Sequence, residues 1–314
     1  KKESAMSYQS SGFFCLISLL SPLGWSQSCE DLLSESTTNV SVTAAQVVLA
    51  GEFKPPGGVL NTQTYSELPE FCKVSLILTP SPDSEINVEI WLPIETWNVS
   101  LVTDMSFLFE NCHTFNGNIT LWDTSRVTNM SHMFEGALAF NQPLLWNTSR
   151  VTDMSSMFFV AQAFNQPLLW DTSNVVDMSF MFMGAYSFNQ SLPFDTTRVT
   201  NIQYMFGDAY AFDQPLSWDT SNVVDMSYVF AGATVFNHPL PWNTSSVRNM
   251  FCMFCSASAF NMPLVLDTSS VVDMAYMFHR AFAFNGFMTF NTSRVTDMSH
   301  MFREATSFNQ SLSS

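Results

Sequence analysis

Residues 146–169 read WNTSRVTDMSSMFFVAQAFNQPLL, and residues 170–193 read WDTSNVVDMSFMFMGAYSFNQSLP. The two segments align without a gap, and closely similar text recurs along most of the chain. The first interval between copies is 25 residues and every later interval is 24. The nine copies begin at Trp97, Trp122, Trp146, Trp170, Phe194, Trp218, Trp242, Leu266 and Phe290. A fixed period of this length predicts a solenoid over residues 97–314, in which each copy forms one coil.

The apolar residues of one copy predict how a coil folds. In the second copy, Met130 is followed by apolar residues at steps of +3, +4, +7 and +10, which is typical of one helix face. The β-branched residues in 126–129 predict a short strand. Pro143 then ends the helix. The sequence therefore predicts an α/β, leucine-rich-repeat-like solenoid whose coils each contain a strand, a helix and a return loop.

Equivalent residues of successive copies form columns. We predict that the Phe column and the Met column are core, and that the Asn column is buried and satisfies backbone groups at a turn. These columns contain Phe140, Phe164, Phe188, Phe212, Phe236, Phe260, Phe284 and Phe308; Met133, Met157, Met181, Met205, Met253, Met277 and Met301; and Asn116, Asn141, Asn165, Asn189, Asn237, Asn261, Asn285 and Asn309, with Asp213 in one place.

An acidic column has two interpretations. Its members are Asp104, Asp153, Asp177, Asp225, Asp273 and Asp297, with asparagine at positions 129, 201 and 249. We favour a capping role, or surface ion pairs with Arg126, Arg150, Arg198 and Arg294. Calcium bound between coils is the alternative, because calcium prefers carboxylate and carbonyl oxygens. The chain lacks the glycine-rich nonapeptide of calcium-binding β-rolls, so the sequence predicts no metal site here.

The position after the Ser of Met-Ser-x-Met-Phe varies between copies, and we call it the variable column. It contains Phe107, His132, Ser156, Phe180, Tyr204, Tyr228, Cys252, Tyr276 and His300. These residues lie between core positions and are predicted to face outward. Exposed aromatic residues in a line are typical of surfaces that bind proteins or sugars. The predicted binding residues are therefore Phe107, His132, Phe180, Tyr204, Tyr228, Tyr276 and His300. The alternative is a stripe that packs on its own neighbours.

Charge and cysteine content limit the classes of partner. The formal net charge is −16, from 27 acidic and 11 basic residues, which argues against nucleic acid as a partner. Cys252 and Cys255 form a single Cys-x-x-Cys motif. Without a second ligand pair this motif is a weak zinc signal, and two cysteines at variable positions are the simpler interpretation. No cofactor is predicted.

The amino-terminal region predicts secretion. Lys1 and Lys2 precede the short apolar run 13–20, and small residues at 26–28 fit a signal-peptidase site. We therefore predict a signal peptide over residues 1–28, no transmembrane segment in the mature chain, and a secreted or cell-surface location. Cys29 and Cys72 are a candidate disulfide in an oxidising compartment. Nine glycosylation sequons fit this location, at Asn39, Asn98, Asn118, Asn129, Asn147, Asn189, Asn243, Asn291 and Asn309.

Residues 29–96 form a separate segment before the coils. Residues 71–79 and 85–92 alternate apolar and polar side chains around a Pro- and Ser-rich turn, which predicts a β-hairpin. This segment would cap the first coil, as solenoids require. The last copy ends at Ser314 without a similar segment, so an uncapped coil there would favour self-association.

Two resemblances extend this reading. The text V-T-D-M-S-x-M-F and F-N-Q-P-L-x-W-[DN]-T-S over residues 97–314 resembles BspA-type leucine-rich-repeat-like surface proteins. This resemblance implies an extracellular solenoid that contacts host or matrix molecules. The segments CEDL at 29–32, VTAAQVV at 42–48, FKPPG at 53–57, LPEFCKV at 68–74 and INVEIWLP at 86–93 resemble the amino terminus of the tannase and feruloyl esterase family.

The tannase-like segment does not predict an enzyme. That family is an α/β-hydrolase, whereas no Gly-x-Ser-x-Gly elbow occurs in this chain. We predict a non-catalytic adhesion or interaction protein that binds an extracellular protein or glycan. The alternative is a structural protein that assembles end to end. More remote alternatives are an esterase-derived protein and an ice-binding protein. The ice-binding face would be the Thr column of Thr124, Thr148, Thr172, Thr196, Thr220, Thr244, Thr268 and Thr292.

Overall fold

The structure is a computed structural model that describes residues 40–48, 71–81, 84–93 and 99–311. Three strands precede the coils: β1 (Val40–Val48), β2 (Phe71–Ser81) and β3 (Ser84–Pro93). They form an antiparallel sheet in the order β1-β2-β3. The pairing of β2 with β3 confirms the predicted hairpin, and β1 adds a strand that the sequence did not predict. The predicted signal peptide and the side chains of Cys29 and Cys72 lie outside the described residues.

Residues 99–311 form the predicted solenoid, and successive coils are joined by parallel bridges at the acidic column. The bridges run from Asp104 to Asn129, on to Asp153, and so through each coil to Asp297. Only β4 (Leu264–Val265) and β5 (Met288–Thr289) extend into a two-stranded parallel sheet. The predicted strand at 126–129 is therefore reduced to one bridging residue in each coil.

The helical part of the α/β prediction is wrong, because no helix forms anywhere in the part of the chain that the structure describes. Overlapping turns replace it. In the first coil, the N–H groups of Leu108, Glu110 and Cys112 each donate to the carbonyl three residues earlier. A residue with positive φ, such as Phe107 at 60°, interrupts any helix. Apolar residues at intervals of +3 and +4 are thus compatible with a ribbon of overlapping turns as well as with a helix.

Backbone hydrogen bonds between coils stabilise this ribbon. The N–H groups of Met105, Phe107, Phe109 and Asn111 all donate to carbonyls of the second coil, at 2.6–3.0 Å. The same pattern repeats in the following coils. A left-handed conformation costs a non-glycine residue about 1–2 kcal/mol. The bonds to the next coil satisfy the backbone groups that this conformation turns outward, and thereby offset that cost.

The predicted core columns are confirmed. Phe140 and its equivalents through Phe284 are fully buried, and so are Met133 and its equivalents through Met277. Phe rings of this column stack within and between coils: Phe164 lies 4.0 Å from Phe158 of its own coil and 6.0 Å from both Phe140 and Phe188 between ring centroids. Stacked aromatic pairs add about 0.5–1.5 kcal/mol each beyond the area they bury.

The asparagine ladder is confirmed as a structural feature, although its side chains are mostly half-buried and not fully buried as predicted. The Oδ1 of Asn141 accepts the N–H of Asn165 at 2.9 Å, and the bond recurs from Asn116 through Asn309. Asp213 takes the same role in its coil, accepting from Asn237 at 3.1 Å. In each coil, one backbone N–H group therefore donates a hydrogen bond to the side-chain oxygen of the coil before it.

The prediction that the threonine column could form an ice-binding face is wrong. From Thr124 through Thr268 its side chains are at most 3% exposed. Each hydroxyl donates to a carbonyl of the next coil, as Thr172 does to Asp195 at 2.9 Å. The column is a buried hydrogen-bond ladder, and it presents no flat surface to solvent.

The acidic column caps turns, as one of its two interpretations predicts. Oδ1 of Asp153 accepts the N–H of Ser155 at 2.9 Å, and the equivalent Asp or Asn does the same in every coil. The ion pairs with Arg126, Arg150, Arg198 and Arg294, which the favoured interpretation also allowed, do not form among residues 99–311.

A second set of Asx turns follows the Trp column, and it predicts a response to acid. Hydrogen bonds from Ser173 lower the pKa of Asp171, and equivalent bonds lower the pKa values of Asp123, Asp219 and Asp267. Since these pKa values are lower in the folded chain, the contribution of the carboxylates is present above the unfolded pKa. It is lost as the pH falls through the folded pKa.

Replacing all four aspartates by asparagine should therefore reduce the fall in Tm between about pH 5 and about pH 2.5, with little change at neutral pH. Asparagine keeps the turn, because Asn147 and Asn243 accept the same bond in their coils. Thermal unfolding followed by circular dichroism checks this. The reverse exchange, Asn147→Asp with Asn243→Asp, should steepen the acid response, and parallel curves for all variants would contradict the prediction.

Candidate binding site

The variable column lies on the outer surface of the ribbon of turns. All nine members have left-handed φ values of 54–60°. This conformation directs each side chain away from the core residues on either side of it. Phe107 and His300 are exposed, Ser156 is buried, and the others are half-buried. The predicted outward position is confirmed for the seven candidate binding residues, and their binding role remains a prediction.

The aromatic members stack along the solenoid. Phe180 lies 4.9 Å from Tyr204, and Tyr204 lies 4.0 Å from Tyr228, between ring centroids. Tyr276 lies 4.8 Å from His300. At the other end, Phe107 stacks on His132 at 4.5 Å. The alternative of a stripe that packs on its own neighbours is therefore confirmed for these rings, which remain partly exposed, and binding by the column stays a prediction.

The column is interrupted at two coils. Ser156 separates the pair Phe107–His132 from the longer stack. At Cys252 the ring of Phe251 bridges the gap, 5.1 Å from Tyr228 and 5.7 Å from Tyr276. Cys252 itself is bonded to Cys255 in a disulfide. The Cys-x-x-Cys motif is thus a local crosslink within one coil, and its sulfurs are not arranged as zinc ligands.

A second left-handed column lies four residues after the variable column, and sequence reasoning missed it. Glycine alternates with residues that carry side chains over the first six coils, and the column contains Asn111, Gly136, Val160, Gly184, Asp208, Gly232, Ser256, Arg280 and Glu304. Each of the three glycines lies under the side chain of the preceding coil. At Gly232, a Cβ atom would approach Oδ1 of Asp208 to 2.1 Å. The alternation of glycine at 48-residue intervals was the available signal in the sequence.

A pocket of about 250 Å³ opens between the two left-handed columns in the fifth to seventh coils. Tyr204 and Tyr228 form one side of the pocket, and Asp208 and the disulfide contribute to its lining. Gly207, Ala231 and Gly232 also line it, and their lack of bulk leaves the space open. Two predicted binding residues therefore lie beside the pocket, with an acidic residue that was not predicted.

The pKa values of Asp208, Tyr204 and Tyr210 are all raised. Burial raises the pKa of Asp208. Burial also raises the pKa of Tyr204, with further contributions from its hydrogen bond to Tyr228 and from the charge of Asp208. The charge of Asp208 is the largest cause of the raised pKa of Tyr210, which stacks on Tyr186 at 4.9 Å. The carboxylate of Asp208 thus lies among three tyrosines.

The described residues contain neither a cluster of metal-ligand side chains nor a helix that could span a membrane. Across 40–48, 71–81, 84–93 and 99–311, no three His, Cys, Asp or Glu side chains are grouped as metal ligands. In the same residues, no helix is long and apolar enough to cross a membrane.

Comparison with known proteins places the repeats in a family. The model of the family described as "Mycoplasma protein of unknown function, DUF285" matches residues 84–192, 145–241, 169–264, 193–286 and 240–314. These matches together cover most of the chain and all of the coils. The chain belongs to this family of repeat proteins. No solved structure matches the chain significantly.

A stretch of about a third of the chain is similar to a different protein. An uncharacterized esterase of Xanthomonas campestris pv. campestris is 35% identical over 101 residues, which is 32% of this chain. The chain spans only 16% of the length of that relative. This similarity covers too little of the esterase to carry its activity over.

Proposed function

We propose that the chain is a secreted or cell-surface, non-catalytic interaction protein that binds protein or glycan partners through its variable column. The observation that supports this most directly is the aromatic stack on the outer surface. It runs through the fourth to ninth coils, from Phe180 to His300, with Phe251 in place of Cys252. Rigid aromatic residues of this kind dominate the energetics of many interfaces.

The solenoid architecture and the family resemblance support the same proposal. Repeat solenoids present extended surfaces that suit binding, because each coil adds the same outward position. The BspA-type resemblance of residues 97–314 implies adhesion or matrix contact. The predicted signal peptide and the nine sequons fit an extracellular location. The esterase relative supports no catalytic role here, since the similar segment lacks the nucleophile motif.

Replacing Tyr204, Tyr228 and Tyr276 by serine should weaken partner binding by about ten-fold or more without unfolding the chain. Serine fits this position, because Ser156 adopts it with a φ of 55° in the third coil. The measurement is binding of the purified chain, from Cys29 on, to glycan and extracellular-matrix protein arrays, with light scattering on the same sample.

A matched control removes exposed apolar side chains elsewhere. Leu121, Leu145 and Leu169 are 76–88% exposed in one column on the return loops. Their replacement by serine should leave array binding unchanged. Equal binding by the tyrosine variant and the unmodified chain would exclude the variable column. Array binding that is absent, together with growth into larger species, would instead favour the alternative of end-to-end assembly.

A further inference from the structure

The pocket beside Tyr204 exists because one column loses its side chains in two adjacent coils. The residues just before the second left-handed column are Glu110, Glu135, Phe159, Met183, Gly207, Ala231, Cys255, His279 and Arg303. The two smallest, Gly207 and Ala231, are neighbours. Met183 and the disulfide border the space that they leave. The gap is therefore local to these coils, whereas the aromatic stack extends well beyond them.

Asp208 carries the only formal charge among the residues that line this gap. Within residues 99–311 its carboxylate has no ion-pair or hydrogen-bond partner. By contrast, Glu304 in the same column is paired: Nε of Arg280 donates a hydrogen bond to its Oε2 at 2.7 Å. A partly buried carboxylate without a cation costs free energy that a bound cation would recover.

The surroundings of Asp208 favour a cation. The hydroxyl groups of Tyr204 and Tyr228 add hydrogen-bond acceptors beside the carboxylate. Tyr210, two residues along the chain from Asp208, supplies an exposed ring that stacks on Tyr186, and tyrosine faces attract guanidinium and ammonium groups. No Lys or Arg side chain of the described coils lines the pocket.

The size of the pocket and the charge of the solenoid indicate the source of that cation. At about 250 Å³ the pocket is smaller than the roughly 300–1,000 Å³ of small-molecule sites, and it suits a single side chain. Residues 99–311 contain 16 acidic residues against seven arginines and no lysine. This excess of negative charge attracts basic protein surfaces and repels acidic ones.

We propose that the pocket centred on Asp208 binds an arginine or lysine side chain of a basic protein partner. This inference rests on the proposed function, because it assigns one anchor point within the interaction surface. The carboxylate forms a charge-assisted hydrogen bond with the incoming cation, and the tyrosines cover its apolar stem. The adjacent aromatic stack then contacts the residues that flank it.

The test uses a short peptide of alternating glycine and arginine with a neutral fluorescent label, and its counterpart with citrulline in place of arginine. Anisotropy is measured at about 0.15 M salt, where weak surface attraction is screened. Two variants change the pocket. Asp208→Asn keeps the shape, as Asn111 does in the first coil, and Ala231→Met fills the gap with the residue found at Met183.

The control variant is Asp171→Asn, which removes one charge at an exposed Asx turn, where Asn147 is tolerated. We expect Asp208→Asn and Ala231→Met each to weaken binding of the arginine peptide by about ten-fold or more. The control should change it by less than about two-fold. The citrulline peptide should not bind. Circular dichroism of each variant confirms that it is folded.

Equal losses in all three variants would overturn the pocket and indicate general attraction to an acidic surface. Binding of the citrulline peptide at the affinity of the arginine peptide would also overturn it. Failure here is distinguishable from failure of the proposed function. An array ligand that is lost in the tyrosine variant but retained in Asp208→Asn would uphold the interaction surface and exclude this cation site.

Discussion

Replacing Phe206 by alanine should lower the free energy of unfolding by about 3–5 kcal/mol. The Phe206 ring is fully buried in the fifth coil and stacks on Phe212, Phe182 and Phe230, at 4.0, 5.9 and 5.7 Å between centroids. Its removal leaves a cavity that neighbouring coils cannot fill, because their own rings are held in the same ladder. Urea unfolding followed by circular dichroism measures the loss.

Phe302→Ala, the equivalent change near the end of the described coils, is the comparison for Phe206→Ala. Phe302 is only partly buried, and it contacts Phe278 and Phe308 with no described coil beyond it. Phe302→Ala should therefore cost clearly less than Phe206→Ala. Equal losses at the two sites would show that stability does not depend on stacking from both sides, contrary to a nearest-neighbour description of the solenoid.

Gly232→Ala should lower the free energy of unfolding by about 2–4 kcal/mol, from backbone strain and overpacking together. Gly232 has a φ of +73°, and a Cβ there would approach Oδ1 of Asp208 to 2.1 Å. The carboxylate must move into the pocket or toward solvent. The same denaturant titration measures this effect.

The double variant Gly232→Ala with Asp208→Ala separates the effect of backbone strain from the effect of overpacking. Removing the carboxylate relieves the overlap and leaves only the strain of the left-handed backbone. The double variant should therefore recover part of the loss, as a double-mutant cycle would report. Additive losses from the two changes would contradict the contact between these coils.

Periodicity predicted the solenoid and its core, because a fixed 24-residue interval places equivalent residues in columns whatever the local structure. Met133 and Phe140 are buried as expected, and Asn141 carries the predicted ladder bond. The helix was wrong for a physical reason. Apolar residues at +3 and +4 from Met130 suit a helix and a series of overlapping turns equally. Only the positive φ of His132 and Gly136 distinguishes the two.

The candidate site was predicted less completely than the fold. Tyr204 and Tyr228 stood out because the variable column repeats, so its outward position could be inferred from its neighbours. Asp208 did not, since it occurs once, at a position where Val160 and Arg280 are equally acceptable. Its significance depends on the small size of Gly207 and Ala231, and each of these residue types occurs only once in its column, so neither gives a periodic signal.

The uniform interfaces between coils have a consequence for how such a chain changes length over generations. Each coil offers its neighbour the same backbone groups, Thr hydroxyl, Asx oxygen and aromatic rings. Duplication or loss of 24 codons therefore joins coils whose contacts already match, and no new interface has to arise. A change of a few codons shifts every column at once. The chain is therefore expected to gain or lose whole coils. A local feature such as the gap at Gly207 can appear in one part of the array while the rest is inherited unchanged.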